Sequence, residues 1–245
     1  MAKRKPFDPA AIQLSRSALE EFVRCPLCFY LHRRLGISPP RMVPLTLAVA
    51  TDALLKNEFD AVRVTGANHP VWVREGLDVR AFVHPELETW RSNFKGQRVT
   101  HAATGAVISG AVDDLWVDQK SGLLYVVDYK STSKQGEPTI ESEFGLSYKR
   151  QMEIYQWLFR TAGFNVSPTA YFLYVNGSKQ GGFYPSGVEG VMRFETTLIA
   201  YQGNSGWVDG VITHAVACLQ NDVLPEAGAG CDNCRYFSQR TLGSR

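Results

Sequence analysis

Two runs of β-forming residues, each ending in acidic side chains, limit the fold of this chain more than any other feature. Residues Ala106 to Asp118 are rich in β-branched side chains, Asp118 to Gly122 read as a turn, and Leu123 to Lys130 form a second run. This pattern predicts a β-hairpin. Side chains two apart on a strand share a side, so Asp128 and Lys130 project together, and Asp113 on the partner strand can approach Asp128. Asp and Lys at this spacing on an edge strand are commonly no more than a salt-bridged surface. Here, however, Asp128 ends the apolar run Leu123-Leu-Tyr-Val-Val127, typical of a buried strand, where charge is costly unless it has a task. Two carboxylates and a lysine converging in this way suit a hard divalent cation such as Mg²⁺.

Helices are expected around the hairpin. Ser15 can cap a first helix, with Ser17 to Glu20 also fitting a capping box; that helix runs toward Cys25 and is interrupted at Pro26. A second helix starts near Phe29, and Gly36 with Pro39-Pro40 closes the region. Ala48, Asp52, Leu55, Phe59 and Val62 share one helix face, which predicts a helix over 45–64. Between 65 and 100 the signals weaken: Val71 to Val73 read as a strand and His84 to Phe94 as a helix. After the hairpin, Ser147 caps a helix reaching Ala162, Ala170 to Val175 is a strand, 177–187 is loop, and Val191 to Ala200 is a strand. Ser205 caps a last helix through Gln220, and a short glycine-rich tail carries Cys231 and Cys234. This order predicts a mixed α/β layer rather than a regular βαβ repeat.

At 245 residues, 44% hydrophobic and 20% charged, the chain has the material for one large domain or a core with a small appendage. A net charge of +2 means that any nucleic-acid surface must come from local clustering. Met1 to Lys5 holds three basic residues, either near phosphate or simply solvated, and the same alternatives stand for Arg24, Arg33, Arg34, Lys149 and Arg150. No apolar run approaches the roughly 18 residues of a membrane span, and Pro6, Asp8 and Pro9 interrupt any leader-like stretch. The expectation is a cytoplasmic protein without a membrane partner, whose thiols stay reduced. Cys25-Pro-Leu-Cys28 and Cys231-Asp-Asn-Cys234 therefore read as metal ligands, for a [4Fe–4S] cluster or one Zn²⁺, against the alternative that both pairs are unliganded. Cys218 shares an apolar helix face with Val208, Val211 and Ala215 and reads as core. No glycine-rich phosphate loop, His-Glu-x-x-His or nucleophile elbow points to another chemistry.

Gly110-x-x-Asp113, the strand ending Asp128-Tyr-Lys-Ser131, and Gln151-x-x-x-Tyr155 on a helix follow one another in the order that resembles the RecB-like branch of the PD-(D/E)XK nucleases. The resemblance implies an α/β, restriction-endonuclease-like core: a mixed central β-sheet flanked by helices, with the N- and C-terminal segments joined by a four-cysteine metal site. It implies a single domain over 1–245, with 1–40 and 222–245 forming a cysteine–metal appendage. It also implies Mg²⁺ or Mn²⁺ on Asp113, Asp128 and the Tyr129 carbonyl, with Lys130 orienting or helping to deprotonate water and Gln151 and Tyr155 positioning Lys130 or the strand. Tyr155 also lies on the helix's apolar stripe and could be plain core. Where the family places a histidine on an early helix, this chain has Asp52, with Glu58 and Asp60 as alternatives. Related iron–sulfur nucleases, including CRISPR-associated exonucleases, usually contribute one cysteine from the N-terminal side and three from the C-terminal side; here the split is two and two, which keeps Zn²⁺ open. The implied activity is hydrolysis of DNA, with single-stranded ends or flaps preferred, in repair, recombination or CRISPR adaptation and with possible protein partners there. The alternative is a weakly catalytic scaffold on the same fold.

Overall fold

Strand β1 (Gln13–Ser15) leads into α1 (Arg16–Arg24) and α2 (Pro26–Arg33), followed by α3 (Thr46–Thr65), α4 (Pro70–Arg74), β2 (Val79–Ala81) and α5 (Leu87–Arg91). Next come β3 (Gln97–Thr100), β4 (Val107–Gly110), β5 (Asp114–Asp118) and β6 (Leu124–Thr132). Helix α6 (Glu143–Thr161) precedes β7 (Thr169–Gly177) and β8 (Phe194–Gln202), and α7 (Val208–Gln220) and α8 (Asp232–Leu242) follow. This computed structural model describes residues 7–39, 43 and 45–242. The basic segment Met1 to Lys5 and the second proline of the pair at 39–40 lie outside the described residues.

The main sheet has the order β2-β5-β6-β7-β8. Its β6–β7 pair is parallel and the other pairs are antiparallel, so the sheet is mixed. Strict alternation divides its side chains between two cores. Leu115, Val126, Phe172 and Tyr174 pack on one side with Leu158 and Phe159 of α6 and Ile212 of α7. Trp116, Val127, Tyr129 and Leu173 pack on the other with Leu55 and Phe59 of α3 and Trp72 of α4. A smaller sheet, β1-β4-β3, extends the first core. Among the described residues no helix is long and apolar enough to cross a membrane.

The mixed sheet flanked by helices is as expected, but several elements differ. The run 106–118 is not one strand: β4 joins the smaller sheet, and only β5 pairs with β6 as a hairpin. Gly110 marks the break, because its backbone lies so close to Tyr155 and Leu158 that a Cβ would meet each at 2.8 Å. Val71 to Val73 are helical rather than extended; His69 caps α4 by accepting from the Val71 N–H, and Pro70 opens it, signals that override β propensity. Of the expected helix His84–Phe94, only α5 forms. Ser15, not Ser17, caps α1, and Pro26 starts α2 rather than merely interrupting a helix. Helix α6 begins at its Ser142 cap, ahead of Ser147, because Gly145 lets the first turn settle on the Ile140 carbonyl, where a Cβ would come within 1.9 Å. Asn204 rather than Ser205 caps a 3₁₀ turn before α7, and the tail after Pro225 carries a further helix, α8.

Candidate active site

Continuing the β5–β6 register past Asp114↔Val127 sets Asp113 opposite Asp128. The chain has already left the sheet at Asp113, so the Tyr129 N–H donates to the Asp113 Oδ2 instead, at 2.8 Å. Asp128 is buried; its Oδ1 accepts from the Gln151 Nε2 at 2.8 Å. Its Oδ2 is held by the Lys130 ammonium in a close ion pair and has no other donor. Lys130 Nζ also donates to the Gln151 Oε1 at 3.3 Å and sits 4.5 Å from the Tyr148 ring centroid. Gln151 completes its contacts by donating to the Tyr155 hydroxyl at 3.1 Å. Asp113, Asp128, Lys130, Gln151 and Tyr155 are thus brought together, with Gln151 at the hub. Tyr155 is buried and serves both readings, since its ring packs in the core while its hydroxyl reaches Gln151.

Electrostatically the cluster is short of positive charge. Burial and the neighbouring Asp128 raise the Asp113 carboxyl to about 7, against the opposing pull of Lys130 and Lys56. Burial alone would lower the Lys130 ammonium, but the charges of Asp128 and Asp113 outweigh it and hold the group above the ordinary lysine value. A carboxyl reluctant to ionise beside a second carboxylate, with only oxygen donors between them, fits a hard divalent cation.

From α3, Asp52 is linked to this cluster through Lys56, a residue that the sequence reading missed. Lys56, one turn on, donates to the Asp52 Oδ2 at 2.8 Å and stands 3.7 Å from the Asp113 Oδ1. The i,i+4 spacing of Asp52 and Lys56 was the available signal. The alternatives are committed elsewhere: Glu58 faces His69 at 3.0 Å, and Asp60 pairs with Arg63 and Arg91. A second unanticipated group lies behind the hairpin. Fully buried Asp114 accepts from Arg91 Nη2 at 3.0 Å, from the Tyr129 hydroxyl at 2.9 Å and from Arg63, fastening α3 and α5 to the sheet beneath the site. Most of the basic side chains considered as phosphate contacts have acidic partners: Arg33 with Glu21, Arg34 with Asp222, Lys149 with Glu141 and Arg150 with Glu20.

At the far end of α1, the two cysteine pairs meet. Cys25 and Cys234 sulfurs are 3.7 Å apart, Cys28 lies 3.6 Å from both Cys231 and Cys234, and all four sulfurs fall within 4.8 Å of one another. Burial pushes the Cys25 thiol up, but N–H donation from Gly228 and Cys28 outweighs it and brings the group down to about 7. Burial and neighbouring sulfurs raise Cys28, and Cys234 is pushed up to about 11. A compact set of four thiols suits a metal centre. Gly228 permits the approach: a Cβ there would lie 2.1 Å from the Arg24 carbonyl oxygen. Cys218 packs against the main core, as expected.

A family model described as the PD-(D/E)XK nuclease superfamily matches residues 13–239. No curated protein matches the chain.

Proposed function

Because the chain belongs to the PD-(D/E)XK nuclease superfamily, we propose that it is a Mg²⁺- or Mn²⁺-dependent deoxyribonuclease acting on single-stranded ends or flaps. Asp113, Asp128 and the Tyr129 carbonyl would hold the cation, with Asp52 as a further ligand once its carboxylate is released by Lys56. The bound cation would supply Lewis-acid charge at the phosphate and lower the pKa of a bound water. Asp128 carries this reading: a buried carboxylate near enough to Asp113 to raise it, paired with an ammonium that its own charge keeps protonated.

Lys130, held as an ammonium, is better suited to orienting water and stabilising phosphate charge than to removing a proton. Gln151 is a positioning residue, since it fixes Asp128 and Lys130 relative to each other and is itself steadied by Tyr155. The Tyr129 ring is anchored by Asp114 on the opposite side of the sheet, which supports a fixed carbonyl. We treat 1–245 as one domain with a cysteine–metal appendage at 1–40 and 222–245, in a reducing, cytoplasmic setting. At the cysteines, where the [4Fe–4S] cluster was the first expectation and Zn²⁺ the alternative, the sulfur spacing instead supports a single Zn²⁺. Tetrahedral zinc with bonds of about 2.3 Å places its sulfurs roughly 3.8 Å apart, whereas a cube with iron at its corners holds its thiolates farther apart. Repair, recombination or CRISPR adaptation are the processes in which such trimming would serve.

Incubating the protein with labelled single- and double-stranded DNA and Mg²⁺ or Mn²⁺ tests the proposal. Cleavage is expected, and Asp128→Asn or Lys130→Ala should reduce it at least about 100-fold without loss of fold. Cleavage that persists in both variants would reject the assignment. Binding without turnover would favour a scaffold role instead.

A further inference from the structure

A second recess shares a wall with the Asp128 cluster. It is a cleft of about 120 Å³ bordered by Arg16 at the start of α1, by Lys95 in the loop between α5 and β3, and by the Tyr155 ring. The Tyr155 hydroxyl is hydrogen-bonded to Gln151, which in turn holds Asp128, so one phenol separates the cleft from the carboxylates. Arg16 and Lys95 have no carboxylate partner within ion-pair distance among the described residues, unlike Arg33, Arg34, Lys149 and Arg150. Phe94 stands beside Lys95 and is 96% exposed.

The loop that presents Phe94 is firmly built. Lys95 N–H donates to the Ser92 carbonyl at 3.1 Å and Gly96 N–H to the Thr89 carbonyl at 3.1 Å. Gly96 adopts φ +65, and its α-carbon lies so near Gly110 that a Cβ would come within 2.6 Å of that carbonyl oxygen. The Phe94 ring is almost wholly open to solvent on this firm turn, so its face is free for a ligand. Beside two unpaired cations it has the chemistry of a single-strand platform: a π-face for a base and positive charge for the phosphate.

We propose that this cleft holds single-stranded nucleic acid next to the reaction centre, a backbone phosphate lying between Arg16 and Lys95 and an unstacked base against Phe94. The proposal rests on the nuclease reading for the strand's identity. Within a duplex both faces of each base are already stacked, leaving Phe94 at most the end pair, so the cleft favours single strands.

Fluorescence anisotropy of the full chain with a labelled oligothymidylate, and with a duplex of equal length, tests this in Ca²⁺ without Mg²⁺. Phe94→Ala should weaken single-strand binding roughly tenfold and leave duplex binding unchanged, while Phe94→Trp retains binding. The Arg16→Ala, Lys95→Ala double variant should flatten the dependence of log affinity on log salt by about 1.4 for the single strand. Exposure of Phe94 makes its replacement harmless to the fold. The proposal is overturned if the wild-type chain binds no single strand, if Phe94→Ala binds it as well as wild type, or if that variant loses both forms equally. Should DNA be cleaved while Phe94→Ala binds normally, only this inference fails. Should the Phe94 effect appear without any Mg²⁺- or Mn²⁺-dependent cleavage, the nuclease reading fails and the strand cleft stands.

Discussion

Asp113 stands where stability and the proposed chemistry pull in opposite directions. Its folded-state carboxyl titrates near 7, raised by burial and by Asp128. A carboxyl raised on folding leaves stability intact below its unfolded value and removes it as pH climbs through the folded value. For this group the loss in the metal-free protein spans pH 3.8 to about 7. Asp113→Asn keeps an oxygen for the Tyr129 N–H while removing the charge. Metal-free melts should therefore show the variant more stable than wild type by about 2 kcal/mol at pH 8, with little difference at pH 4, although its cleavage is lost. Equal melting temperatures at pH 8 would show that the two carboxylates do not burden each other.

Elements carry the site through close approaches that only glycine allows. Gly110 ends β4 against α6, and its replacement by Ala would press on Tyr155 and Leu158. Overpacking of this kind costs about 1–3 kcal/mol, and displacement of Tyr155 should disturb Gln151. Gly110→Ala is expected to lower the melting temperature and also kcat, which thermal melts and cleavage kinetics would check together. An unchanged kcat in a destabilised variant would detach Tyr155 from the site. The convergence of Asp113, Asp128 and Lys130, and the helix α3, were legible because strand alternation and helical spacing are local rules written in adjacent residues, whereas Gln151 came only through the family resemblance. The split between β4 and β5 was not, because β-branched residues favour extension without saying which sheet they join. Val71 to Val73 misled for the same reason: a histidine cap and a proline start decided the matter. Lys56 was overlooked because a lysine on a helix is ordinarily solvated, and only the fold brings its ammonium toward Asp113. Arg16 joins the adjacent Phe94 and Lys95 around one cleft only through tertiary structure, which the sequence does not show.

For the whole molecule, the cysteine centre joins two ends more than 200 positions apart, Cys25 and Cys28 to Cys231 and Cys234. Closing so long a loop with a metal should contribute on the order of a few kcal/mol to folding. Elemental analysis of the purified chain is expected to find about one Zn²⁺ per molecule. Cys25→Ser or chelation should lower both metal content and melting temperature. A metal-free preparation that melts as the loaded protein does would contradict a stapling role. Because this centre lies at the far end of α1 from the hairpin acids, its loss should act on stability first and on cleavage only through it.

Diffraction from crystals soaked in Mn²⁺, recorded at the manganese absorption edge, bears most directly on the shared-cation claim. An anomalous peak bonded to oxygens of both Asp113 and Asp128, beside the Tyr129 carbonyl, is the result expected. Ordered carboxylates with no peak between them, or an ion bound by only one of them at saturating Mn²⁺, would contradict it.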